Sequence, residues 1–305
     1  MTLAIHTQGL TRQFEGGHGV RALGLSVPAG AVYGFLGPNG AGKTTTIRLL
    51  LGLLRPQGGT IELFGETLDA GHRSALARVG ALVESPSLYP HLTGHQNLEV
   101  TRRLLGVPKN RIDDVLATTA MADAAERRVR DYSLGMRQRL AIALALLGAP
   151  RLLILDEPGN GLDPAGILDM RQLLRGLAAT HGITVFVSSH QLSEVELVAS
   201  HVGVLHAGNL CFQGTIEALR ARYLPRVQLR CDDAALATRL LAEAGEDACQ
   251  LDAETLTVQP RGRVDAELNR LLVEAGLAVS HLVREQPSLE TLFFDVTRTP
   301  TEAIA

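Results

Sequence analysis

Over the first 222 positions, short apolar runs closed by polar or glycine residues alternate with stretches of helical period, the pattern of a mainly parallel α/β sheet. Three runs are apolar without alternation: residues 31–36 (AVYGFL), 152–155 (LLIL) and 184–188 (TVFVS). Strands covered on both faces need that continuity, so these three are predicted as central strands. Polar groups just past their carboxyl ends would then meet in one crevice. Residues 88–149 carry no comparable strand signal and read as an inserted helical subdomain. Beyond residue 223 the order changes to strand (227–231), helix (234–244), two strands (248–251 and 255–259), helix (264–275) and strand (277–283). That βαββαβ order predicts a small α+β domain of ferredoxin-like type.

Length and charge support two domains. A chain of 305 residues exceeds one minimal domain. Residues 1–222 carry a net +3 and residues 223–305 a net −6, which places a boundary near 223–225 and gives domains 1–222 and 223–305. The total of −3 argues against an extended nucleic-acid surface. The longest apolar run, 140–149, is about half the ~20 residues that a membrane-crossing helix needs. The N-terminus lacks the basic start and long apolar stretch of a secretory signal, so the chain is expected in the cytosol. Cys211, Cys231 and Cys249 form no close pair, as reduced thiols there would not.

The candidate chemistry sits where the strands end. Gly37, Pro38, Asn39, Gly40, Ala41, Gly42, Lys43 and Thr44 match the spacing of a phosphate-binding P-loop, between a predicted strand and a helical run over 45–54. Glycines let the backbone wrap phosphates, an ammonium at Lys43 neutralises β and γ oxygens, and the Thr44 hydroxyl suits Mg²⁺. Asp156 and Glu157 close the 152–155 strand, where a carboxylate is costly without a partner or function. Asp156 suits Mg²⁺ through water, and Glu157 suits a general base for an attacking water. His190 follows the 184–188 strand; it is either a surface or capping group or a donor to the γ-phosphate. Ser133 stands as an N-cap before the apolar 140–147 helix. The segment is either a capped core helix or a second phosphate-binding surface, formed with the Gly135 backbone and used across a dimer.

Taken together, GPNGAGKTT at 37–45, YSLGMRQRL at 132–140, LLILDEP at 152–158, NGLD at 160–163 and SSH at 188–190 resemble the ATP-binding cassette (ABC) transporter ATPases over residues 3–222. The resemblance implies a RecA-like P-loop NTPase fold that binds ATP and Mg²⁺. It also implies a head-to-tail pair, homodimer or heterodimer, in which each P-loop, with Thr45, faces the partner's signature Ser133, Leu134, Gly135 and Met136. In that scheme Phe14 stacks on adenine, where a tyrosine is usual and a core aromatic is the alternative. Asp163 couples the two sites and His190 is the switch histidine. Glu84 replaces the family's usual glutamine; it either draws negative charge towards Mg²⁺ or is a solvated loop acid. Leu134 and Met136 replace a glycine and a glutamine. These departures and the acidic tail are similar to the bacitracin-resistance and lantibiotic-immunity subgroup, which works with ABC-2-type membrane permeases.

The expected function is therefore the ATPase subunit of an exporter, on the inner face of the cell membrane through its permease, with a peptide antibiotic or other drug as cargo. A soluble ABC ATPase acting on ribosomes or DNA would usually carry tandem cassettes or a long coiled coil. A small-molecule kinase would leave the signature segment and His190 without a role.

Overall fold

The computed structural model describes residues 2–84, 86–221 and 226–285, with 292, 293 and 297. The chain divides between Ile216 and Glu217 into two compact units, the second running to Leu292. Residues 223–225, where composition placed the boundary, lie outside the described residues.

The first unit opens with β1 (Leu3–Gln13), β2 (Gly19–Leu23), β3 (Ser26–Pro28), β4 (Val32–Leu36), α1 (Lys43–Leu50), β5 (Gly58–Leu63), β6 (Glu66–Thr67) and β7 (Val79–Leu82). Three helices follow, α2 (Gly94–Leu105), α3 (Asn110–Thr118) and α4 (Leu134–Leu146). Then come β8 (Leu152–Asp156), α5 (Pro164–His181), β9 (Thr184–Ser189), α6 (Leu192–Glu196), β10 (His201–His206), β11 (Asn209–Thr215) and α7 (Ile216–Arg220), in which the division falls.

A six-stranded sheet of order β11-β10-β4-β9-β8-β7 forms the centre, parallel throughout except for β11. The three continuous apolar runs are its adjacent strands β4, β9 and β8, and every residue of each is buried. Successive side chains alternate between two cores, as the pleat requires. Leu153, Leu155, Val185 and Val187 join the core under α2–α5. Leu152, Ile154, Phe186, Tyr33 and Phe35 join the core shared with α1 and a second sheet.

That second sheet, of order β2-β1-β5-β6 with β3 also on β1, is antiparallel. It departs from the mainly parallel expectation for this region. Bulges interrupt β1 between Leu10 and Arg12 and between Gln8 and Thr11, and they break the alternation that would announce an amphipathic strand. Helices α2–α4 lie between β7 and β8 as the inserted helical part. A capping box starts α2: the Thr93 hydroxyl accepts from Gln96 N and the Gln96 side-chain Oε1 from Thr93 N.

The second unit contains β12 (Arg226–Cys231), α8 (Ala234–Glu243), β13 (Asp247–Gln250), β14 (Thr255–Gln259), α9 (Asp265–Glu274) and β15 (Val279–Glu285). Its antiparallel sheet runs β13-β14-β12-β15, the split βαβ arrangement, over its own core of Val227, Leu229, Leu256, Leu268 and neighbours. Among the described residues no helix is long and apolar enough to cross a membrane.

Candidate active site

The carboxyl ends of β4, β8 and β9 lie side by side, because Leu36 is in register with Ser189 and Asp156 with Ser188. The loop after β4 needs its glycines. Gly40 and Gly42 have φ of 80° and 109°, where a side chain is strained. A Cβ at Gly42 would also come within 2.7 Å of Val20 Cγ1 and 2.9 Å of the Gly19 carbonyl. Ala41 turns into the core, and its amide donates to the Pro38 carbonyl at 3.1 Å. The loop then enters α1, whose free first-turn amides favour an anion.

Lys43 is only 6% exposed, so its charge must be matched locally. Its ammonium donates to the carbonyls of Gly37 at 2.7 Å and Pro38 at 3.3 Å, and it pairs with Glu157 Oε1 at 3.1 Å. The other Glu157 oxygen is hydrogen-bonded to His190 Nδ1. The Glu157 backbone is left-handed, with φ of 51°, and its carbonyl accepts from Asn160 N at 3.1 Å. Beside it, Asp156 Oδ2 accepts from the Thr44 hydroxyl at 2.8 Å, and Oδ1 from the Ser188 hydroxyl at 2.6 Å.

These groups border a cleft of about 510 Å³ lined by Asn39, Gly40, Gly42, Lys43, Thr44, Thr45, Glu157 and His190. Gly37 and Pro38 serve it from behind by holding Lys43. The oxygen donors fit Mg²⁺: Thr44 and Asp156 provide hard oxygens, and this ion completes its shell with water and phosphate. Among the described residues no group of three or more His, Cys, Asp or Glu is gathered for a metal, as a transition-metal site would require. A cationic cradle beside a carboxylate on a histidine suits phosphoryl chemistry on a nucleotide.

A family profile described as "ABC transporter" matches residues 20–160. A bacitracin transport ATP-binding protein, BcrA of Bacillus licheniformis, is 40% identical, covering 96% of this chain and 97% of that one. The chain belongs to the ABC transporter ATP-binding proteins. A daunorubicin/doxorubicin resistance ATP-binding protein, DrrA of Streptomyces peucetius, is 36% identical over 99% of this chain and 94% of its own length. Among solved structures, CbiO1 from Clostridium perfringens, part of the ABC transporter complex CbiONQ, superposes with a TM-score of 0.67 at 26% identity, covering 72% of this chain and 92% of that one. As a member of this family the chain is an ATP-binding ATPase.

Other residues singled out from this ABC ATPase sequence lie apart from the cleft lining. Ser133 caps α4, its hydroxyl accepting from Met136 N at 3.3 Å. Leu134 lies against Gly161, Gly135 lies near Leu162, and Met136 packs on the core beneath. Asp163 caps α5, accepting from Gly166 N at 2.7 Å. Phe14 is 40% exposed, with the Arg12 guanidinium 5.1 Å from its ring centre, so it is not a core aromatic. Its amide donates to the carbonyl of His18, which does line the cleft.

The structure does not bring Glu84 to the cleft. Its left-handed backbone, φ 60°, carries a carboxylate paired with Arg48 of α1. Here its partner is a surface cation, as suits the solvated-loop alternative. Three lining residues were missed: His18 and Gly19, for which the sequence pattern holds no signal, and Asn160, which stands in the NGLD string. Ser188 was also missed as a participant, although it opens SSH.

Proposed function

We propose that this ATPase powers a separately encoded ABC-2-type membrane permease from the cytoplasmic face, and that its cargo is a peptide antibiotic or other drug. The observation that carries the enzymatic part is the cluster of Lys43, Glu157 and His190 around one cleft, with Thr44 and Asp156 beside it. The exporter assignment is supported by relatives whose names include bacitracin transport, lantibiotic transport and daunorubicin/doxorubicin resistance.

In this reading Lys43 exchanges its ion pair with Glu157 for the phosphate oxygens of ATP, which carry more charge. Thr44 and Asp156 would hold Mg²⁺, whose charge offsets that of the phosphates. Glu157 then accepts the proton of the attacking water, and His190 orients that carboxylate and donates towards the γ-phosphate. Ser133 and Gly135 lie outside their own chain's cleft lining, so a second subunit, identical or related, supplies them to complete the pocket. Asp163, at the head of α5, is suited to sense that partner.

Glu157→Gln removes the base while leaving the P-loop intact. It should accumulate as an ATP-bound dimer in size-exclusion chromatography with saturating MgATP. A purely monomeric profile would count against closure in trans. In mild detergent, the tagged chain should bring down a hydrophobic subunit.

A further inference from the structure

We infer that Ser188 is a positioning residue for hydrolysis, its one hydroxyl fixing the metal-side carboxylate and the base relative to each other. This deepens the catalytic reading above and rests on it. Ser188 is 0% exposed and follows Val185, Phe186 and Val187 in β9, all of them core residues. An unadorned core position would favour another branched apolar side chain.

Its register explains the polarity. Ser188 is directly opposite Asp156 across the β8–β9 pair, so the two side chains share the face that carries α1. The hydroxyl donates to Asp156 Oδ1 at 2.6 Å and accepts from the Glu157 amide at 3.0 Å. One hydroxyl has one proton, so committing it to Asp156 leaves a lone pair for the amide, and the two bonds reinforce each other. Asp156 is thereby left with Oδ2 for Thr44. The same oxygen anchors the amide of Glu157, a residue with φ of 51° that needs surrounding contacts to persist. Loss of the hydroxyl would free both the carboxylate plane and the strained backbone.

Thr and Val at 188 have nearly the same shape and differ in the hydroxyl. The full-length chain is compared as S188T and S188V. Supporting groups behind metal ligands typically change affinity or activity by about 10- to 100-fold. S188V is therefore expected to release phosphate from MgATP about 10- to 100-fold more slowly than S188T. It should also need correspondingly more Mn²⁺ to saturate metal-dependent ADP binding in calorimetry, while metal-free ADP affinity, set by the P-loop, stays equal in the two.

Equal turnover and equal metal requirement in S188T and S188V would overturn the inference. So would a loss of metal-free ADP affinity parallel to the loss of turnover, because the effect would then be structural. If circular dichroism shows S188V unfolded, S188A takes its place in the same comparison. If the unmodified chain neither binds ADP with metal nor releases phosphate, the catalytic reading itself fails.

Discussion

Glu157 joins Lys43 and His190, which both face the cleft, while its neighbour Asp156 holds Thr44. Adjacent carboxylates thus serve different tasks because successive residues at a strand end point apart. Their identities were legible in the sequence, since the P-loop spacing and the strand-end acids are local patterns. The partners that complete the site were not: Asn160, His18 and Ser188 arrive through sheet register and loop closure, which no short window records. Glu84 is the opposite case. A family position pointed it at the metal, whereas Arg48, a helical turn beyond the P-loop, takes up its charge. The side chain is 59% exposed, and exposed pairs contribute about 0–1 kcal/mol. Glu84→Gln is therefore expected to leave MgATP affinity unchanged in calorimetry and to shift thermal stability by less than about 1 kcal/mol. A marked loss of metal-dependent binding would restore the metal-directed assignment.

At the scale of elements, helices approach the central sheet closely where glycine permits it. A Cβ at Gly80 of β7 would meet the Ala145 carbonyl of α4 at 2.2 Å and the Pro150 ring at 3.1 Å. Gly80→Ala would push α4 outward, and overpacking of this kind costs about 1–3 kcal/mol. The expected result is a lower denaturation midpoint in urea, and an unchanged midpoint would contradict this packing. Arg139 of α4 also bonds Asp169 of α5 at 2.5 Å, so a displaced α4 would disturb the segment bearing Asp163. The strands β4, β8 and β9 were readable as continuous apolar runs because both faces are buried. The antiparallel sheet was not, because β1 buries Ile5 and Leu10 out of phase across its bulges. In the second unit, strands and helices fell close to their expected ranges, since each amphipathic period covers a single core.

At the scale of the whole molecule, each unit has its own core, and the second unit has its own acid-sensitive anchor. Glu246, with a side chain 3% exposed, accepts from the Arg261 amide at 2.6 Å and pairs with Arg263 at 2.8 Å. The Arg261 amide bond, then the Arg263 hydrogen bond and charge, hold its carboxyl below the usual 4.5. Because the folded pKa is the lower one, the stabilisation is present above pH ~4.5 and fades as pH falls through the folded value. Glu246→Gln is expected to lose about 1–2 kcal/mol at pH 7. The gap from the unmodified chain should narrow in thermal melts at pH 4 and below. A gap that widens in acid would reverse the assignment.

The catalytic account rests on Lys43 as the phosphate anchor and Glu157 as the base, and both are tested by measuring MgATP affinity and phosphate release on the same preparations. Lys43→Ala should weaken MgATP binding by about 10- to 100-fold, the value of a charge-assisted hydrogen bond. Glu157→Gln should retain binding while phosphate release falls by about 10²–10⁴, the usual contribution of a general base. Undiminished affinity in Lys43→Ala, or undiminished phosphate release in Glu157→Gln, would contradict it.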